Sequence, residues 1–224
     1  MSDNESTPPE PYFFFPSTVY RSSQPKFLPN AKLVLEEHLA MFPTHDEIYP
    51  INQTGMMFDI RIKDLIDYVG QSSWGILQEQ GFNMAMWNCI ILDFWGQQFF
   101  KHGQHIEHTH NRGAQISGFY FVEVPENSSR PIIFDPRPAK RQINLDELDM
   151  GMVSYASQQI TFEVKAGDFL LMNSWLGHGF TPNASDKEFR FIHFNVGVVF
   201  NEEFAKQQEC QILPPSPPSS VEVI

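Results

Sequence analysis

A mainly β, jelly-roll-like domain with helical support near its N-terminal end is what this sequence predicts, on three observations. Helical periodicity is confined to the part of the chain before Phe82, and from there on short apolar runs alternate with turn signals. The third is size: 224 residues, 42% hydrophobic and 14% aromatic, can bury one sizeable core, and all-β barrels commonly reach this length as one domain.

The elements follow in order. Residues 1–11 lack apolar content and read as a disordered tail. YFFFPSTVYR at 12–21 reads as a first apolar strand broken by Pro16, since proline is tolerated only at edges and bends. Asn30 opens a helix over AKLVLEEHLAMF that Pro43 ends. Ile62, Leu65, Ile66 and Val69 keep helical spacing, which is expected to pause at Gly70 and restart after Ser72 as a short capped helix, SSWGILQEQ. Then come MWNCIILDFWG, FFKHG, HIEHTH, ISGFYFVEV, IIFDPRP, QQITFEV, FLLMNSW and RFIHFNVGVVF, predicting six to eight strands of a sandwich or barrel. Residues 211–224 form a Pro/Ser-rich tail, which leaves one domain over 12–210 with its β core at about 82–200.

Charge and cysteines narrow the function. A formal net charge of −12 gives no basic footprint for phosphate backbones, so no nucleic acid partner is expected. Cys89 and Cys210 lack CxxC spacing and suit a reducing compartment. The acidic, polar start and the lack of any run of ~18 apolar residues predict a cytoplasmic protein with no membrane partner.

Four of the eight histidines stand at 102, 105, 108 and 110. On a strand, residues i and i+2 share a face, so His108 and His110 can turn two imidazoles to one metal ion. His105 with Glu107 satisfies the same parity and would give a histidine–carboxylate pair; the two registers exclude each other unless a bulge intervenes. The plainer alternative is a histidine-rich solvated loop. Asp93 reads as a strand-end or turn residue. His178 lies 68 residues after His110, inside GDFLLMNSWLGHGFTPN, and Arg190 follows twelve residues later. A strand-borne arginine on an inward face needs a buried anionic partner, such as a dicarboxylate ligand. A structural ion pair or an outward-facing arginine is the competing account. Trp95, Phe119, Trp175 and Phe194 are either pocket lining or, more commonly in so phenylalanine-rich a chain, core. The long segment 135–158 is a candidate lid.

With HTHNRGAQISGFYFVEVPENS, IIFDPRP, GDFLLMNSW, LGHGFTPN and FRFIHFN in this order, residues 94–197 resemble the iron(II)- and 2-oxoglutarate-dependent oxygenases. The resemblance is narrower still to a branch of uncharacterised bacterial and phage members with an HxH metal strand. It implies a double-stranded β-helix of the jelly-roll or cupin-like type, with Fe(II) held by His108, His110 and His178. It further implies 2-oxoglutarate bound through Arg190 with help from Tyr120. The implied activity is a dioxygenase of hydroxylase type, acting with dioxygen on a small-molecule or peptide substrate and releasing succinate and carbon dioxide. Most of the superfamily has a carboxylate where this chain has His110, which leaves the metal one unit more positive. Two other classes stay open. One is a cupin-like three-histidine metalloenzyme without an oxo-acid, which has no general need of Arg190; the other is a non-catalytic β-sandwich module, which binds no metal.

Overall fold

The computed structural model describes residues 8–41 and 56–203. Among them are nine strands and two α-helices. The strands are β1 (Val19–Ser23), β2 (Trp87–Phe99), β3 (His105–His108), β4 (Ala114–Glu123), β5 (Pro131–Phe134), β6 (Gln159–Thr161), β7 (Asp168–Asn173), β8 (His178–Phe180) and β9 (Phe189–Phe200). The helices are α1 (Leu28–Ala40) and α2 (Lys63–Glu79). Antiparallel pairing builds a five-stranded sheet in the order β1-β7-β4-β9-β2 and a four-stranded sheet in the order β3-β8-β5-β6. This is the jelly-roll, double-stranded β-helix architecture with helices added to one face.

Two apolar layers follow from period-two alternation along β4, β7 and β9. Toward the helices, Ile116, Tyr120, Val122, Ile192, Phe194 and Val196 pack with Val34, Leu35, Leu65 and Val69. Between the sheets, Phe99, Phe119, Phe121, Phe189 and Phe191 pack with Ile133, Leu176 and Phe180 of the smaller sheet's side. Gly96 lets α1 approach β2 closely, because a Cβ there would lie 2.1 Å from Leu35 Cδ1.

Three expectations are corrected. The strand expected at 12–21 begins only at Val19, and Phe13, Phe14 and Phe15 stand exposed. Phe15 takes φ 55° just before Pro16, a left-handed kink that ends extension, and β1 pairs only at the sheet edge. The pause at Gly70 does not occur. The buried stripe Leu65, Val69, Ser73, Ile76 and Leu77 runs through it, and that burial outweighs the ~1 kcal/mol that glycine costs a helix. The first helix starts at Leu28, ahead of Asn30, with Pro29 in its first turn, where no N–H is needed. Pro43, the 211–224 tail, Cys210 and most of the 1–11 tail lie outside the described residues, whereas 8–11 are exposed and irregular. No helix among the described residues is long and apolar enough to cross a membrane.

Candidate metal centre

The site forms where the smaller sheet ends against the inner face of the larger one. β3 pairs with β8 so that His108 stands directly opposite His178. His110 lies just past β3 and is tied down by its N–H, which donates to Ser174 O at 2.9 Å. His108, His110 and His178 thereby each offer a ring nitrogen within 4.8 Å of the others'.

Local hydrogen bonds decide which nitrogens face inward. A carbonyl oxygen only accepts, so the contacts of His108 Nδ1 with Ile106 O and of His178 Nδ1 with Leu176 O, both 2.9 Å, place a proton on each Nδ1. Each Nε2 then carries a lone pair. His108 Nε2 is buried without a partner, and His178 Nε2 lies 3.2 Å from His110 Nε2. An orphaned imidazole nitrogen beside two others is the donor set a first-row divalent metal fits. Burial, followed by the neighbouring His108, pushes His178 down to about 3 and His110 and His105 down to about 4. The His110 and His178 rings are therefore presented neutral at ordinary pH, as metal coordination would require.

The cluster opens into a cavity of about 500 Å³ lined by residues that include Asp93, Trp95, Gln97, Arg112, His193 and Asn195. Several of these escaped the sequence reading. Asn195 Nδ2 lies 3.3 Å from His110 Nδ1 and donates to Asp93 Oδ2 at 3.1 Å, linking the exposed carboxylate to the His110 ring. Asp93, expected at a strand end, instead sits within β2 beside a bulge that shifts the register between Ile91 and Asp93. His193 is buried, shares a 3.1 Å hydrogen bond with Ser117 Oγ, and packs on Trp95 with ring centroids 4.0 Å apart. A legible signal was available, because His193 and Asn195 share strand parity and come from the inner face of β9.

The alternative register resolves through a bulge. The β3–β8 register shifts between His105 and His108, so His105 also lines the cavity with its ring 4.2 Å from His108's. Glu107 is exposed, falls outside the triad and faces Gly177.

Arg190 and Tyr120 are not brought to the histidines, which corrects the placement expected of them. Both project from the helix-facing side of the sheet. Arg190 donates to Gln98 Oε1 at 2.6 Å and Glu123 Oε2 at 2.9 Å, while the Tyr120 hydroxyl donates to Gln24 O at 3.0 Å. The cause is parity: His193 faces inward, so Arg190, three residues earlier, must face outward. The inward position beside it is Phe189. Of the aromatics, Trp95 lines the cavity, Phe119 is inner core, Phe194 is helix-side core and Trp175 is exposed. The 135–158 segment borders a different cavity of about 450 Å³, shared with Phe13, Phe14 and Ile133, so it does not cover the histidines.

Residues 93–195 match a protein family described as "Putative 2OG-Fe(II) oxygenase". No curated protein sequence matches the chain. Among solved structures, the fold is similar to AviO1 from Streptomyces viridochromogenes (12% identity, 91% of this chain and 93% of that one, TM-score 0.55). It is similar as well to SnoN, a non-haem alpha-ketoglutarate-dependent epimerase from nogalamycin biosynthesis (9%, 92% and 88%, 0.57). A Pseudomonas putida prolyl-4-hydroxylase shares it too (10%, 83% and 88%, 0.51). The matched segment begins at Asp93 and ends at Asn195, and it encloses all three clustered histidines.

Proposed function

We propose that the protein is a non-haem iron(II) oxygenase that uses 2-oxoglutarate and dioxygen to hydroxylate a small molecule or a protein side chain. The observation that carries this is the convergence of His108, His110 and His178, the first two of which line the 500 Å³ cavity. Iron(II) bound there with an oxo-acid and dioxygen supplies the oxidising chemistry, with succinate and carbon dioxide as by-products.

The chain's own residues perform the rest. Ile106 and Leu176 carbonyls hold two ligand rings in the correct tautomer. His110 carries its proton on Nε2, since Asn195 donates toward Nδ1; were a metal held through Nε2, that proton would stand on Nδ1. Asn195 Oδ1, buried without a partner, can accept it once the amide turns. Asp93 is exposed and can exchange its lost donor for water. Three neutral ligands leave the centre more positive than a histidine–carboxylate set, and the nearby Asp93 carboxylate partly offsets this through space. Trp95, His193 and Phe119 wall the inner side of the triad, limiting water behind it.

One observation favours a second reading. Arg190 and Tyr120 lie on the opposite face, as a three-histidine metalloenzyme without an oxo-acid would allow. Anaerobic titration of the metal-free protein with Fe(II) and 2-oxoglutarate separates the cases. A visible metal-to-ligand charge-transfer band that His178→Ala abolishes supports the oxygenase. Bound metal without the band supports the second reading, and no bound metal would leave a β-sandwich module.

A further inference from the structure

An oxo-diacid that chelates a metal by one end must place its other carboxylate somewhere, and a buried carboxylate without a partner is strongly disfavoured. Among the described residues, the interior of this jelly roll offers no cation for it. Phe99, Phe119, Phe121, Phe180, Phe189 and Phe191 close the space between the sheets, each no more than 2% exposed. Arg190 is held on the far side of the sheet by Glu123 and Gln98, with Glu36 also 3.9 Å from its guanidinium. Bringing it inward would require β9 to slip one residue, which would also turn His193 and Asn195 out of the cavity.

Among the residues lining the metal cavity, Arg112 is the one cation. It lies two residues after His110 in a tight turn where Arg112 and Gly113 take φ 57° and 88° and Ala114 N–H donates back to Asn111 O at 3.2 Å. The turn fixes the arginine's backbone at the cavity mouth, beside the ligand strand. We propose that Arg112 is the anchor for the distal carboxylate of the oxo-acid, so that the cosubstrate is held from the mouth of the barrel and not from its floor. The assignment rests on the oxygenase reading above. A planar guanidinium suits it, since it can grip a carboxylate with two parallel hydrogen bonds.

The test compares two acids on the anaerobic Fe(II)-loaded protein: 2-oxoglutarate, and pyruvate, which chelates equally but has no distal carboxylate. Affinities are read from calorimetry and from the charge-transfer band. Arg112→Ala is expected to weaken 2-oxoglutarate about 10- to 100-fold, in the range of a lost charge-assisted pair, and to leave pyruvate unchanged. Arg112→Lys should recover part of the loss, and Arg190→Ala should leave both affinities alone. Because Arg112 is exposed, its variants should keep the wild-type melting temperature. Equal effects on the two acids, or none, would overturn the proposal. So would a selective loss of 2-oxoglutarate in Gln97→Leu, which would move the anchor to the neutral donors deeper in the cavity. Failure of the wild-type protein to bind Fe(II), or to bind 2-oxoglutarate once loaded, would instead remove the oxygenase reading itself.

Discussion

The two faces of the sheet formed by β4 and β9 carry opposite chemistry. On the inner face Ser117, His193 and Asn195 stand next to the histidine triad, and Phe119, Phe121, Phe189 and Phe191 fill the space below. On the outer face Tyr120 and Arg190 sit among helix-side residues, bonded to a backbone carbonyl and to Gln98 and Glu123. Arg190 and His193 are three residues apart, yet a whole sheet separates their side chains. A site assigned on a strand therefore depends on parity before spacing, and a single residue's slip exchanges a ligand-binding arginine for a structural one.

The comparison breaks first at the triad. His178→Ala is expected to weaken Fe(II) binding by more than about 100-fold, beyond the 10- to 100-fold typical of outer partners, whereas Arg190→Met should leave metal affinity unchanged. Anaerobic metal titration checks both, and a metal defect in Arg190→Met would mean that the outer face reaches the site. Phe191→Ala, deep on the inner face, should cost about 3–5 kcal/mol in denaturant unfolding, as large aromatic truncations in packed cores do. A cost below about 1 kcal/mol would show that the floor is plastic enough to admit a ligand. Asn195→Leu removes the hydrogen bond to His110 and should lower metal affinity about 10- to 100-fold without unfolding the chain. Arg190→Met itself should cost about 1 kcal/mol of stability and no more, because Lys32 also pairs with Glu123 at 2.6 Å and would keep it from being orphaned.

The same contrast explains what could be read beforehand. The β architecture was legible because apolar alternation and turn residues recur from Phe82 on, and α1 and α2 were legible from their stripes. The triad was legible from the HxH parity and the isolated His178. Arg190 misled because its spacing from His178 suited a ligand-binding role, while its parity was tied to no fixed inward residue. Register shifts obscured more: between Ile91 and Asp93 in β2, between Ala114 and Ile116 and between Phe121 and Glu123 in the β4–β9 ladder, and between His105 and His108 in β3. These shifts place Asp93 and His105 in the cavity and cannot be seen in alternation alone. The exposed aromatics at 13–15 failed as a strand for a local reason, the left-handed Phe15 before Pro16.

A last expected effect concerns acid. Burial holds His178 near 3 and His105 and His110 near 4, and drives the fully enclosed His193 well below its ordinary 6.5, whereas all four take up a proton near 6.5 once the chain unfolds. Between about pH 6.5 and 4 the unfolded state thus binds more protons than the native state, so the stability of the metal-free protein falls as the pH is lowered across that window. Above about pH 7 these groups contribute no slope. The outer face has no buried imidazole beside Arg190, whose side-chain partners are Gln98, Glu123 and Glu36. Thermal melts from pH 7.5 to 4.5 should therefore show a decline of at least a few degrees in the wild type. The decline should be smaller in His193→Gln and undiminished in Arg190→Met. A slope that Arg190→Met flattens and His193→Gln does not would mean that acid sensitivity arises on the helix side, and that the inner imidazoles are wetter than their packing on Trp95 and Phe119 implies.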